Sequence, residues 1–350
     1  MIDLNDEKLV SSLDKARMLE SIRLLPEQCR QAWEETTKIH VPSFYTGQIS
    51  QIVVSGMGGS ALGAHIIKSL FHQDLSLPVE IINDYHLPGY VDSRTLLLLS
   101  SYSGSTEETL STAFEGLKRQ AKIVGITTGG KLGSFLEENH FPAYIFKPQF
   151  NPCGQPRIGL GYSLVGQIGL LRKIGLLKLD EDDFYQMIDS LSKESETLKK
   201  EAKTMAAKTR DKIVEIIGAS HLSGNAHVLA NQLNENSKNF AGFFFLPELN
   251  HHLMEGLKNP KQNKLIFLFL KSLFYDEKIK LRLKLTQEII AKNNLPFLEF
   301  GPHGENKLAE VFQTLLFGSF LSFYLSMIYN QDPSVIPWVD YFKEKLAKAS

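Results

Sequence analysis

The chain reads TLLLLSSYSGSTEET from residue 95 to residue 109. Four successive leucines are typical of a strand buried on both faces of a parallel sheet. Small hydroxyl residues follow and lead into a helical pattern, so the stretch is predicted to form a strand, a loop and the start of a helix. In that layout the loop hydroxyls and the first N–H groups of the helix converge on one place, where they favour an anion such as a phosphate monoester.

Within this loop we expect Ser101, Ser103 and Thr106 to bind the phosphate, and Gly104 to let the backbone approach it. The alternative is that the hydroxyl residues only cap the helix, because S/T-x-x-E is also the pattern of a capping box.

A second strand-loop-helix stretch, QIVVSGMGGSALG, spans residues 51–63. We expect Gly58, Gly59 and Ser60 to offer backbone and hydroxyl contacts to the same ligand. A nucleotide loop is the competing interpretation. It is disfavoured because the stretch matches neither GxxxxGK[ST] nor GxGxxG followed at the proper spacing by an acidic residue.

The order of strands and helices repeats along the chain. Alternation of strand-like runs and helices over residues 51–139 predicts an α/β fold with a parallel sheet covered on both faces. The same order starts again at Lys212, and a shift of about 162 residues lays Ala64-His65 on Ala226-His227. We therefore expect two αβα sandwich units that arose by tandem duplication.

The repeat divides the chain into four segments. They are an N-terminal helical segment (1–40), a first α/β domain that binds the phosphate (41–150), a linker with connecting helices (151–208) and a second α/β domain with the C-terminal helices (209–350). The second unit has LFLKSLFYDEK where the first has its hydroxyl-rich loop. We therefore expect one anion site per chain, which leaves the second half free for chemistry.

The overall composition restricts the possible partners. The 38 basic and 39 acidic side chains give a net charge of −1, so no global positive field favours nucleic acid or an anionic membrane. The two cysteines, Cys29 and Cys153, lack the spacing of a metal site, and with no signal peptide recognisable they fit a cytoplasmic protein. Residues 311–329 could span a membrane by length, but their apolar side chains surround the helix, which favours a buried core or interface helix.

Six motifs occur in collinear order from about residue 50 to residue 346. They are SGMGGSALG (55–63), SSYSGSTEET (100–109), PRIGLGYS (156–163), NENSKN (234–239), PELNHH (247–252) and DPSVIPWVDYFKEKL (332–346). Together they resemble the bifunctional phosphoglucose/phosphomannose isomerases of the sugar-isomerase (SIS) domain superfamily. The resemblance implies isomerisation of glucose 6-phosphate and mannose 6-phosphate to fructose 6-phosphate, without metal or cofactor. It also implies a homodimer whose active sites lie at the subunit interface.

The resemblance assigns roles to single residues. Glu235 matches the base that moves a proton between C2 and C1 through a cis-enediol, and Arg157 matches the arginine that stabilises the enediolate. His251 matches the ring-opening histidine supplied by the partner subunit, and Lys343 matches the lysine that assists ring opening. Ser334 is the nearest equivalent of a threonine found in relatives that accept mannose 6-phosphate.

Other interpretations remain open at this point. Without the resemblance, Glu235 would be taken as a surface carboxylate at a helix end. The chain departs from the family pattern after His251, where His252 and Leu253 follow instead of the usual Asn and Glu. A different SIS-type enzyme acting on another sugar phosphate or an amino-sugar phosphate would carry a similar loop, as would a non-catalytic sugar-phosphate sensor.

Overall fold

The computed structural model describes residues 4–349, and within them strands and helices alternate as expected. The strands are β1 (Gln51–Gly56), β2 (Val79–Ile82), β3 (Thr95–Ser100), β4 (Lys122–Thr127), β5 (Ala143–Ile145), β6 (Ile213–Ala219), β7 (Ala241–Leu246), β8 (Leu265–Leu270) and β9 (Phe297–Phe300). The helices are α1 (Glu7–Leu13), α2 (Met18–Arg23), α3 (Leu25–Thr37), α4 (Gly59–Leu70), α5 (Glu107–Lys118), α6 (Gly130–Glu138), α7 (Leu160–Ile174), α8 (Glu181–Thr209), α9 (Ser223–Gln232), α10 (Leu253–Gly256), α11 (Glu277–Lys292), α12 (Lys307–Ile328) and α13 (Pro337–Ala349).

The strands form two parallel sheets with matching order. The first sheet runs β2-β1-β3-β4-β5 and the second β7-β6-β8-β9, so β1, β2, β3 and β4 correspond in position to β6, β7, β8 and β9. In the first sheet Gly56 lies opposite Ser100, so the glycine loop and the hydroxyl-rich loop leave adjacent strands at the same edge. The predicted α/β class with two parallel sheets is confirmed, and the matching strand order agrees with a duplicated unit.

Side chains of the first sheet alternate between two cores because successive residues of a strand point to opposite faces. Ile52 and Val54 belong to the larger core, which also includes residues of α4 and α7, whereas Val53 packs in a smaller core with residues of α5 and α6. The larger core continues through α8, α9 and α12 to the second sheet. The two units are therefore held together by shared apolar packing. Each fully buried Val, Leu or Ile contributes about 1.5–3 kcal/mol.

Helix α12 contains the long apolar stretch and lies inside the protein. By length and composition it could cross a membrane, but its most apolar 18-residue window is entirely buried. Phe317 of this helix stacks on Phe300 of β9, with ring centroids 3.7 Å apart. The prediction of a buried core helix is confirmed.

Helix α13 lies on the surface and exposes large apolar side chains. Trp338 is 80% exposed and Phe342 is 62% exposed. In a single chain this helix therefore has an apolar face in contact with solvent. The segment boundaries at residues 40, 150 and 208 remain a proposal; the last of them falls at the end of α8.

Candidate active site

The hydroxyl-rich loop joins β3 to α5. Ser101 is buried and its Oγ lies 2.8 Å from Oγ1 of Thr106, while Ser103 is exposed. Thr106 occupies the N-cap position of α5 but its side chain makes no capping hydrogen bond. The S/T-x-x-E match runs from Ser105 to Glu108, and the Ser105 hydroxyl donates to the Ser103 carbonyl instead of capping the helix. The capping box of the alternative interpretation is therefore not formed, and the first N–H groups of α5 lack intrahelical acceptors.

Gly104 is the point where this loop contacts the next one. Its φ is +67°, and a Cβ atom at this position would lie 1.8 Å from the carbonyl oxygen of Gly129. The Gly104 carbonyl also accepts a hydrogen bond from the N–H of Leu132 at 2.9 Å. Only glycine fits here, and the loop is held in one conformation.

The glycine loop after β1 is hydrogen-bonded to the hydroxyl-rich loop. Ser60 Oγ accepts a hydrogen bond from the N–H of Tyr102 at 2.9 Å, and the Ser60 carbonyl accepts one from the Ser100 hydroxyl at 2.7 Å. Gly58 has a φ of +47°, and a Cβ on Gly59 would lie 2.9 Å from the backbone nitrogen of Arg157. The two predicted phosphate loops therefore form one unit, and Gly59 lets the segment of Arg157 pack directly against it.

Arg157 is a charged residue, yet it is only 2% exposed. Hydrogen bonds hold its guanidinium in place. Its Nε donates to Asn236 Oδ1 at 2.6 Å and its Nη1 to Gln155 Oε1 at 2.7 Å. Its Nη2 donates to the carbonyls of Pro333 and Ser334 at 3.0 and 2.9 Å. Burial lowers the pKa of this guanidinium, and nearby acidic groups oppose that effect. The charge remains because the pKa of arginine starts far above neutrality.

Glu235 lies beside this guanidinium on a π-helical turn, Leu233–Ser237, that extends α9. Its Oε2 is 3.4 Å from Nη1 of Arg157. Burial raises the pKa of the Glu235 carboxyl, and the positive charges of Arg157, Lys343 and Lys238 partly oppose that rise. A carboxyl group with a raised pKa and an adjacent cation is suited to accept and return a proton.

Lys238 is a member of this cluster that sequence reasoning missed. Its Nζ donates to the carbonyls of Asn236 at 3.0 Å and Asp332 at 2.6 Å, and burial lowers its pKa to about 8. Arg157 and Lys238 thus bind the three successive carbonyls of residues 332–334. The only signal in the sequence was a basic residue three positions after the proposed base.

Ser334 lies in the segment that these two cations hold. Its backbone carbonyl accepts from Arg157, and its backbone N–H donates to Asp332 Oδ1 at 2.8 Å. Its buried hydroxyl makes no hydrogen bond to any of the residues described. This hydroxyl therefore has hydrogen-bonding capacity that the fold does not use.

Lys343 lies close enough to Glu235 for its charge to act on the carboxyl group, whereas His251 is not among the charges that act on it. Lys343 is exposed on α13, and its charge acts on Glu235. His251 is exposed at the end of the turn Glu248–His251, which follows β7. Within residues 4–349, His251 forms no hydrogen bond or ion pair with Glu235 or Arg157. One chain therefore brings Arg157 into contact with Glu235, Ser334 and Gly59, but does not bring His251 to them.

Hydrogen bonds connect the phosphate loop with the charged cluster. Asn151 Nδ2 donates to the Tyr102 hydroxyl at 2.9 Å and to the Gln155 carbonyl at 3.1 Å. Gln155 in turn accepts from Arg157 through its side chain. The site thus combines the hydroxyl-rich loop with a carboxylate and a guanidinium, a set that can hold a phosphorylated molecule while a proton is moved beside a developing negative charge.

Comparison with protein families and curated proteins identifies similar sequences. Residues 198–346 match the family model described as the bacterial phospho-glucose isomerase C-terminal SIS domain. The chain is 35% identical to the bifunctional phosphoglucose/phosphomannose isomerase of Caldicellulosiruptor bescii, over 95% of this chain and 99% of that protein. It is 32% identical to the protein of the same name from Aquifex aeolicus, over 90% and 94% of the two chains.

Two further comparisons are informative. A more distant relative, 28% identical over 72% of this chain and 78% of the other, is named D-glucosamine-6-phosphate 4-epimerase, from Sulfolobus acidocaldarius. Among solved structures, a hypothetical protein of Thermus thermophilus superposes with a TM-score of 0.74 at 18% identity, over 98% of this chain and 94% of that one. At that identity the superposition establishes the fold alone.

Proposed function

Because the chain belongs to the bifunctional phosphoglucose/phosphomannose isomerase family, we propose that it interconverts glucose 6-phosphate, and also mannose 6-phosphate, with fructose 6-phosphate. The reaction is an aldose–ketose isomerisation by proton transfer through a cis-enediol, and it requires no metal or organic cofactor. The observation that carries the proposal is the pairing of Glu235 with the buried Arg157 next to the hydroxyl-rich loop.

The phosphate of the sugar is bound by the two linked loops. Ser101, Ser103 and Thr106 contribute hydroxyls from one loop, and Gly58, Gly59 and Ser60 contribute contacts from the other. The backbone N–H groups at the start of α5 and the helix dipole favour the dianion. The hydrogen bonds that fix Ser60 and Tyr102 support this role, because a preformed pocket loses little entropy on binding.

Glu235 takes the proton from C2 of the aldose and returns it to C1 to give the ketose. The raised pKa of its carboxyl strengthens it as a base compared with an ordinary glutamate. Arg157 stabilises the negative charge that develops on the enediolate oxygen. Its four hydrogen-bond acceptors and the ion pair with Glu235 leave it preorganised, so that little reorganisation accompanies the reaction.

Ring opening precedes this step and is assigned to Lys343 and His251. The influence of Lys343 on Glu235 supports a position over the same cleft. Because His251 is exposed and makes no recorded contact with Glu235, we assign it to the cleft of a second copy of the chain. The exposed apolar face of α13, with Trp338 and Phe342, supports a homodimer with shared active sites.

Ser334 is assigned to the tolerance of both C2 epimers. The support for this assignment is that its hydroxyl has no hydrogen-bond partner among the described residues, so the fold does not use it. A cytoplasmic location belongs to the same proposal, since Cys29 and Cys153 are both free and buried.

The deciding experiment is turnover of fructose 6-phosphate, glucose 6-phosphate and mannose 6-phosphate by the purified full chain. Glucosamine 6-phosphate belongs in the same panel because one relative is named as an epimerase of that compound. Conversion of the hexose phosphates that carry no amino group supports the proposal. Turnover of the amino sugar alone would assign the site to a different reaction.

A further inference from the structure

The duplicated fold gives the phosphate site a counterpart in the second half. Because β6 and β8 correspond to β1 and β3, the loop at residues 271–276 is the counterpart of the hydroxyl-rich loop. The turn Ser220–Leu222 after β6 is likewise the counterpart of the glycine loop, and a shift of about 162 residues lays His221 on Gly59. The position that corresponds to the proposed phosphate site therefore lies between these two segments.

The carboxylate of Glu310 lies at that place. Glu310 belongs to the first turn of α12 and is 0% exposed. Its Oε2 is 2.8 Å from Nε2 of His221 and also accepts a hydrogen bond from the Ser272 hydroxyl. Its Oε1 accepts from the backbone N–H of Leu273 at 3.3 Å. An imidazole from one loop and a hydroxyl and an amide from the other thus hold a single carboxylate.

We propose that the second half retains an anion site and that the Glu310 carboxylate occupies it as a built-in ligand. The donors are of the kinds that a phosphate loop uses, namely hydroxyl and backbone amide groups, with an imidazole added. A fully buried carboxylate would be strongly unfavourable without them. The chain's own carboxylate therefore excludes sugar phosphate from the second half and leaves one substrate site per chain.

The geometry of these three side chains excludes a nucleophilic serine triad. Ser272 and Glu310 both face Nε2 of His221, whereas a nucleophilic triad needs the hydroxyl and the carboxylate on opposite nitrogens of the ring. The other nitrogen, Nδ1, is buried and has no hydrogen-bond partner in the described part of the chain. The arrangement binds an anion and does not activate the serine.

A cavity of about 710 Å³ adjoins this anion site. It is lined by His221, by Lys68 and Lys307, and by the edge-to-face pair His65 and His227, whose ring centroids are 4.2 Å apart. It lies where the end of α4 meets the start of α9. The proposed active site has the opposite arrangement, with the start of α4 near the extension of α9. The cavity is thus the counterpart of the substrate cleft, of a size suited to a small organic ligand.

The test removes the built-in ligand with Glu310→Ala in the full chain and follows thermal unfolding as acetate is added. We expect a lower Tm than for the native chain, and a saturable recovery with acetate that exceeds the response of the native chain. Acetamide at the same concentrations, and sodium chloride at equal ionic strength, should not restore the Tm. This measurement does not depend on isomerase activity, so its failure and that of the proposed function are distinguishable.

Two control variants test whether the recovery with acetate is specific to the space left by Glu310. Glu310→Gln keeps the space filled, so acetate should not stabilise it beyond the native response. Glu215→Ala removes a half-buried carboxylate whose Oε2 has no hydrogen-bond partner among the described residues, and it should likewise show no specific recovery.

The proposal is overturned if Glu310→Ala unfolds at the native Tm, or if acetate stabilises it no more than it stabilises the native chain. Should this variant not accumulate as folded protein, the same comparison is made on its refolding yield from denaturant. A yield that rises with acetate but not with acetamide supports the proposal, and a yield independent of acetate overturns it.

Discussion

Replacing Arg157 by Gln removes a positive charge whose Nη1 atom lies 3.4 Å from Oε2 of Glu235. At that separation the Coulomb energy is about 1 kcal/mol with the permittivity of water and about 5 kcal/mol with an effective permittivity of 20. Because the Glu235 side chain is 30% exposed, we expect a value in the lower part of this range. Losing this attraction favours the protonated acid, so the pKa of Glu235 rises further above its ordinary value.

The assay is the pH dependence of kcat/KM for fructose 6-phosphate, coupled to a glucose 6-phosphate dehydrogenase. Glu235 must be deprotonated to act as a base, so the acid limb of the profile should move to higher pH in Arg157→Gln. Arg157→Lys is the matched variant that keeps the charge, and its acid limb should stay near that of the native chain. In both variants kcat should fall. We expect a fall of about 100- to 1000-fold in Arg157→Gln, which loses the charged donor to the enediolate. An acid limb of Arg157→Gln that coincides with the native one would show that the charge of Arg157 does not lower the pKa of Glu235.

Three further results are expected. Gly104→Ala places a side chain at a φ of +67° and against a backbone carbonyl. The strain costs about 1–3 kcal/mol and should raise KM for the sugar phosphate severalfold or more in steady-state assays. An unchanged KM would contradict the assignment of this loop to phosphate binding. Mixing inactive His251→Ala with inactive Glu235→Gln chains should restore about a quarter of native activity if a symmetric dimer shares its sites, whereas no recovery would place both residues in one chain's cleft. Phe317→Ala deletes a buried ring stacked on Phe300 and should lower the free energy of unfolding by about 3–5 kcal/mol in urea titrations, so a loss below about 1 kcal/mol would be incompatible with this packing.

Local sequence patterns predicted the sheets and the position of the hydroxyl-rich loop because the signals lie within a few residues of one another. Four leucines before SSYSGST identify a buried strand and its loop, and both features are present at residues 95–106. Residues 311–329 likewise show by their apolar periodicity that the helix is surrounded by protein. Such features depend on residues that are neighbours in the chain and on burial, which the pattern of apolar residues indicates.

The charged cluster could be predicted only through the family resemblance. Arg157, Glu235 and Asp332 come from segments far apart in the chain, and their spacing contains no sign that they meet. Lys238 was missed because most lysines extend into solvent, whereas here the ammonium group binds two backbone carbonyls. Glu310 was missed because an acidic residue in the first turn of a helix is explained by the helix dipole alone.

The proposed isomerisation depends on Glu235 as the group that moves a proton between C2 and C1. The most direct measurement follows glucose 6-phosphate deuterated at C2 by NMR, with the native chain and with Glu235→Gln. We expect the native chain to form fructose 6-phosphate with part of the deuterium lost to water, and Glu235→Gln to lose about 100- to 10,000-fold in rate at nearly unchanged KM. A Glu235→Gln chain that releases the deuterium at the native rate would contradict it.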